Sequence, residues 1–412
     1  MSFRSTQAST PSLALSKLEL AFHRGAIHAI LLCDLLFTSR IYRVIDHPSV
    51  QPAVLGLCAA LVIFYSLASL LRGNVLPVLI ALGAALLIVN QLEVFSNVSG
   101  QPVLVNAGFQ YILPLTFIAF YYVATCGLRE YFVNTLLAYA FAYTAFYFAM
   151  AVLYQLHILP PILLEPLVLT DIERGERLFN YTGASTFAWF VFLSRIRTSF
   201  SVQNAVGALI AGAAIVLSLS RVFILVIAIV SIFEMLNFKT LTIRRICLSV
   251  LYLATLTYLY GFLDPKWNPF DIFSSDSSGG ARAEEYDVAR LLLHGNLLYG
   301  VGIPATTLDL GFVTGNEFFA ASDLGTLGIW FDWGLVGFAL FLVGCHIITR
   351  AARGAGQFHR ALFLTGAFIV AYSVLAPLPF YPSGAIYFAA LLGIWLSRPA
   401  HRLFQTREVQ PI

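Results

Sequence analysis

Charge is what this chain lacks. Only 11% of its 412 residues are Asp, Glu, Lys or Arg, 59% are hydrophobic, and the mean hydropathy is +0.82. A soluble domain carries about a quarter charged residues, so this scarcity excludes an ordinary soluble fold and marks an integral membrane protein. The net charge of +3 comes without a basic stripe interleaved with aromatics, which leaves no ground for a nucleic-acid partner. Cysteine is sparse as well. Cys33, Cys58, Cys126, Cys247 and Cys345 lie in or beside apolar runs, and their odd number and the absence of CxxC or His/Cys spacing argue against a disulfide framework or a metal site. They read as small buried hydrophobes. No GxxxxGK[ST], HExxH or GxSxG is present, so ATP-driven transport, zinc hydrolysis and serine hydrolase chemistry lose support. No cofactor is implied. The first 25 residues lack a short apolar core ending in a cleavage site and are expected to be a retained tail. No internal repeat points to the inverted halves of a secondary transporter.

What the chain has is apolar runs. About 20 apolar residues span a bilayer, and on that rule twelve candidate spans follow one another. They are Ile27–Val44, Ala53–Leu71, Val75–Leu92, Val103–Cys126, Tyr131–Leu156, Leu178–Leu193, Val202–Leu219, Val222–Leu236, Ile246–Leu263, Leu327–Thr349, Ala361–Ala376 and Gly384–Leu396. The first is the weakest, diluted by Asp34, Arg40 and Arg43. With the N-terminus inside, the connecting segments put sixteen Lys and Arg on the cytoplasmic side and eight outside, so both termini are expected in the cytoplasm. The chain then divides into an N-terminal membrane bundle (1–263), an extracytoplasmic loop with an amphipathic helix (264–326), and C-terminal membrane helices with a cytoplasmic tail (327–412).

Chemistry concentrates in and around the stretch Gly279 to Gly337, which is dense in both charge and aromatics. Arg282 follows a flexible SSDSSGG run; beyond it Ala283, Tyr286, Ala289 or Arg290, and Leu293 recur at helical spacing, with Glu284, Glu285 and Asp287 on the other faces. The bland account is that Arg282 and Arg290 balance nearby carboxylates in weak surface pairs. Asp323 precedes the tenth span, where an aspartate commonly caps a helix. Asp332 has entered the apolar run and needs a partner or a wet cavity there. His294 is a lone imidazole, more often packed than catalytic. Arg221 interrupts the apolar run from Ser201 to Phe238, which as one helix would reach roughly 57 Å, too long for one span. The chain must turn near Ser218 to Arg221. There the arginine either snorkels to headgroups or serves an anionic ligand.

In order and spacing these features resemble the O-antigen ligase and Wzy-type polysaccharide polymerase superfamily of bacterial membrane glycosyltransferases, which are GT-C-like. Ser220-Arg221 within LSLSRVFILVIAI is similar to the family's Ser-Arg element. Arg282, Tyr286 and Gly300-Val301-Gly302 match its pattern of arginine, an aromatic four residues on, and a GVG turn. DLGTLGIWFDWGLVG from Asp323 lines up with its last element, with Asp332 and Gly334 on the acidic and glycine positions. The resemblance runs from about Leu178 to Gly337 and implies an all-α polytopic fold of about twelve transmembrane helices with a large extracytoplasmic loop between helices nine and ten.

It further implies metal-independent, inverting transfer from an undecaprenyl-pyrophosphate-linked oligosaccharide to a sugar hydroxyl, at the outer face of the bacterial cytoplasmic membrane. Arg221 and Arg282 would hold the diphosphate and Asp323 would take the hydroxyl proton. Arg290, Tyr286, Asp332, Glu317 and His294 are expected to bind substrate, with Asp309 near the sugar and Tyr299, Phe318, Phe319, Trp330 and Trp333 as candidate stacking platforms. Membrane lipid and a chain-length regulator or export machinery are the implied partners. Where ligases carry His-Asn, this chain has Asp323-Leu324. That favours a polymerase over a ligase acting on lipid A core. A flippase of lipid-linked sugars is the non-enzymatic alternative, and it would place charges at the midplane of both halves.

Overall fold

The computed structural model describes residues 16–45, 49–103, 108, 111–159, 164–171, 175–264, 266–273, 277–304, 307–316, 319–351 and 357–398. Glu317 and Phe318 lie outside the described residues. The chain is a predominantly helical membrane protein. Its main helices are α1 (Lys17–Thr38), α2 (Val50–Leu71), α3 (Val75–Ser99), α4 (Ile112–Thr125), α5 (Arg129–Gln155), α6 (Thr182–Thr198), α7 (Val202–Leu217), α8 (Arg221–Met235) and α9 (Thr240–Leu263). There follow α10 (Ser277–Gly295), α11 (Thr307–Thr314), α12 (Thr326–Ala351), α13 (Gln357–Tyr372) and α14 (Pro382–Leu396). Among the described residues, six of these (α1, α2, α3, α5, α9 and α12) are long and apolar enough to cross a membrane by length and composition. Large apolar side chains such as Ile63, Leu67, Leu79, Leu82, Leu86 and Val89 stand exposed along α2 and α3. In water such a surface would drive association; against lipid tails it is the natural outer face.

α1 starts ten residues before the expected Ile27, because Ser16 and Glu19 form a capping box. The Glu19 amide donates to Ser16 Oγ at 3.2 Å and the Ser16 amide to Glu19 Oε2 at 2.8 Å. It ends at Thr38, short of the expected Val44, where Arg40 adopts φ 62°. The run from Ser201 to Phe238 breaks between α7 and α8, with Leu219 at φ 51° and Ser220 extended as the residue before α8. The polar loop after α5 carries a hairpin of β1 (Val168–Asp171) and β2 (Gly175–Leu178), paired antiparallel with Val168 opposite Leu178. Tyr154 of α5 donates to Glu176 at 2.6 Å and Tyr147 to the Leu178 carbonyl at 3.2 Å, which fastens the hairpin to the bundle.

Among the described residues a small apolar cluster gathers Cys33, Phe37, Leu55, Cys58, Leu113 and Ala385. Two larger cores lie beside it: one runs through the bundle, and the other joins Tyr258, Phe270, Tyr286, Ala289, Leu293, Phe319, Leu324 and Phe331 under α10. Between them α12 is broken at Gly334, whose φ 63° and ψ −173° are open to glycine alone. The Gly300-Val301-Gly302 turn docks into this break: the Val301 amide donates to the Phe331 carbonyl at 2.7 Å and the Leu335 amide to Leu298 at 3.0 Å. A Cβ on Gly334 would strike the backbone of Leu298 and Tyr299, whereas one on Gly295 would meet nothing within 4 Å. Gly334→Ala is therefore expected to cost about 2–5 kcal/mol, from backbone strain plus overlap. Gly295→Ala should be near neutral, and thermal unfolding of both variants in detergent checks the contrast.

Candidate active site

Arg282 lies in the second turn of α10, and Glu285 follows one turn later on the same face. The Glu285 carboxylate is 4% exposed, and its Oε1 accepts the Ala320 amide at 3.1 Å. Ala320 immediately precedes the 3₁₀ turn Ala321–Leu324 that carries Asp323. Arg282, Glu285 and Asp323 thus form one cluster in which the guanidinium acts through space on both carboxylates and Asp323 acts on Glu285. Arg282 Nε and Glu285 Oε2 are buried and make no hydrogen bond among the described residues.

Tyr372, at the end of α13, connects this cluster to the rest of the bundle. It is in the field of Arg282, Asp323 and Arg177, and its hydroxyl lies beside that of Ser220. Arg177, on β2, donates to the Ser218 carbonyl at 2.6 Å. The turn that starts α8 at an exposed Arg221 therefore stands at the same end of the bundle as Arg282 and Asp323.

Burial raises the Asp323 carboxyl above the ordinary carboxylate range, and Arg282 and the Ser322 hydroxyl pull it partly back. Burial and then the Asp323 charge push Glu285 from 4.5 up to about 7, against the Ala320 amide and Arg282. A carboxyl whose pKa is raised by folding stabilises the fold fully below its unfolded value and loses that contribution as pH rises through its folded value. Relative to Glu285→Gln, which keeps an acceptor for Ala320, the wild type should lose stability between about pH 4.5 and 7, by an amount on the order of 3 kcal/mol. Melting temperatures of both proteins across that range check this; a constant gap would contradict the placement of Glu285.

The remaining candidates fall elsewhere. Asp323 does not stand at the N-cap position of α12: it sits within the 3₁₀ turn Ala321–Leu324, and Gly325 intervenes before α12 begins at Thr326. Glu285 points inward rather than outward, because its face of α10 is the one that meets the Asp323 turn. Tyr286 is fully buried and donates to the Tyr258 carbonyl at 2.8 Å, so it holds α10 on α9 instead of facing a ligand. Arg290 does similar work, donating to the Gly261 carbonyl at 3.1 Å and pairing with Asp287 at 3.0 Å. His294 is exposed beside Phe262, twelve residues and roughly 18 Å along α10 from Arg282, outside the cluster. Asp332 is buried away from solvent and accepts the Tyr381 hydroxyl at 2.6 Å. Phe319 and Trp333 are packed against Phe331 and Tyr111, and Trp330 donates to the Leu297 carbonyl at 2.7 Å; Tyr299 is exposed.

Glu285, Arg177 and Tyr372 are the neighbours that the sequence did not single out. Only Glu285 left a signal, its i+3 spacing from Arg282. Among the described residues, no three His, Cys, Asp or Glu side chains gather as a metal site. Neither a family model nor a curated protein matches the chain.

Proposed function

We propose that this protein is a Wzy-type polysaccharide polymerase, an inverting glycosyltransferase that joins undecaprenyl-pyrophosphate-linked repeat units at the outer face of the bacterial cytoplasmic membrane. In this reading the twelve apolar segments all span, both termini are cytoplasmic, and residues 264–326 form the extracytoplasmic working end. The observation that carries it is the Arg282, Glu285 and Asp323 cluster at the end of the bundle where α8 begins with Arg221.

The acceptor hydroxyl oxygen bonds to the anomeric carbon as the bond from that carbon to the diphosphate oxygen breaks. The hydroxyl proton passes to Asp323, and the diphosphate leaves with its electron pair into the arginines. A base with a raised pKa suits proton abstraction near neutral pH. Glu285, held toward its neutral form, adds little charge to repel the diphosphate, so Arg282 and Arg221 present a net positive site. A chain-length regulator or export component is the expected protein partner.

The test is reconstitution with a lipid-linked repeat unit, following chain length on a gel. Wild type should build a ladder, and Asp323→Asn and Asp323→Ser should each elongate about 10²–10⁴-fold more slowly, as loss of a general base requires. Full elongation by both variants would remove Asp323 from the chemistry. Transfer of a single unit to an acceptor lipid would instead mark a ligase.

A further inference from the structure

At the opposite end of the bundle, α6 finishes with two arginines that meet different fates. Arg197 turns inward and its Nε reaches Glu234 at 2.8 Å. Arg195, two residues earlier and so about 200° around the helix, faces away from that carboxylate. Among the described residues its guanidinium makes no ion pair or hydrogen bond, and it lies over the ring of Phe358 at 5.3 Å from the centroid. It is half-buried, and it lines a cavity of about 430 Å³ with Phe141, Phe192, Gln203, Asn204 and Val206.

A half-buried cation without a carboxylate calls for an anion, because its desolvation is otherwise uncompensated. The surroundings suit one. The cavity opens at the start of α7, where Ser201 caps the Asn204 amide at 3.2 Å and the unpaired amides of the first turn carry partial positive charge. The carboxamides of Gln203 and Asn204 supply further donors. The walls are apolar: Phe141 and Phe192 meet edge to face at 5.0 Å, and a Cβ on Gly207 would collide with the Phe192 ring. From the cavity, Val202, Val206, Leu209 and Val216 continue as an exposed apolar strip along α7. A free anion would have no use for that strip. An anion attached to an acyl chain would cover it.

We propose that the groove between α5, α6 and α7 is a site for an anionic phospholipid, with Arg195 on the headgroup phosphate and the acyl chain along the exposed strip of α7. This site would lie in the leaflet opposite the Arg282 cluster. It does not depend on the chemistry assigned to that cluster.

The experiment is native mass spectrometry and thermal unfolding of the full chain in detergent, with added phosphatidylglycerol, phosphatidylcholine or inorganic phosphate. Wild type should retain one more tightly held phosphatidylglycerol than Arg195→Ala, and should be stabilised by it with at least a tenfold preference over phosphatidylcholine, about 1.4 kcal/mol. Gln203→Glu places a carboxylate beside Arg195 at a helix start that tolerates acid. It should fold normally and lose the same lipid, so the test survives a poorly folding Arg195→Ala. Equal phosphatidylglycerol retention by wild type and Gln203→Glu would overturn the proposal. Stabilisation by inorganic phosphate equal to that by phosphatidylglycerol would overturn the assignment to a lipid.

Discussion

Arg282→Ala should slow elongation about 10²–10³-fold, the usual cost of removing a preorganised donor from developing charge, while the melting temperature stays close to wild type. The two halves of this expectation have separate grounds. None of the ion pairs among the described residues includes Arg282, and its Nε has no hydrogen-bond partner there, so little of the fold hangs on the guanidinium. Its charge, however, is the main pull downward on Asp323 and adds to that of the Ala320 amide on Glu285. Without it the two carboxyls face each other uncompensated and both titrate higher. The residual activity of Arg282→Ala should therefore need a more alkaline pH, because Asp323 must be ionised to accept a proton. Arg282→Lys restores the charge but not the two-pronged donor geometry. It should return the pH profile toward wild type while recovering only part of the rate. An Arg282→Ala enzyme with wild-type turnover would exclude the diphosphate role; one with a collapsed melting temperature would make the residue structural.

Arg282 and the helix that carries it were legible before the structure, since Ala283, Tyr286, Ala289 and Leu293 mark a buried face and three of them are fully buried. The break before Arg221 was legible for a geometric reason, the excess length of an unbroken apolar run. What joins these pieces was not. Asp323 reaches Arg282 because Gly300-Val301-Gly302 folds back into the break at Gly334, a contact between backbones that no side-chain pattern announces. Glu285 was placed outward because a glutamate on an amphipathic helix usually is; the Ala320 amide that draws it inward is 35 residues away. Asp332 advertised a need for a partner, and the partner is Tyr381, 49 residues later. Asp323 looked like a helix cap because caps are judged by proximity to an apolar run, and the intervening 3₁₀ turn has no signature of its own. Long-range partners of buried polar groups are set by packing, and periodicity along a single chain carries no record of them.

Glu234→Ala should be the most destabilising single change, at about 3–5 kcal/mol, the cost of breaking a buried charge cluster by removing one partner. Glu234 lies fully buried near the end of α8 and receives Arg197 of α6 at 2.8 Å and Arg360 of α13 at 2.6 Å, with Ser194 at 3.3 Å. Both arginines are held further, Arg197 by Asn237 at 2.7 Å and Arg360 by the Phe238 carbonyl at 2.9 Å. One carboxylate thus ties three helices, and its loss leaves two guanidiniums facing each other. Glu234→Gln keeps an acceptor and should cost less. Adding Arg197→Ala to Glu234→Ala should restore part of the loss, because it removes the repulsion; the difference from additivity measures the coupling. The hub is at the far end of α13 from Tyr372, about 18 Å along the helix. Glu234→Ala should accordingly lower the melting temperature without changing elongation per folded molecule at low temperature. Unchanged stability would show the cluster to be screened like a surface pair, whereas a lower rate per folded molecule would mean that α13 transmits strain from the hub to the Arg282 end.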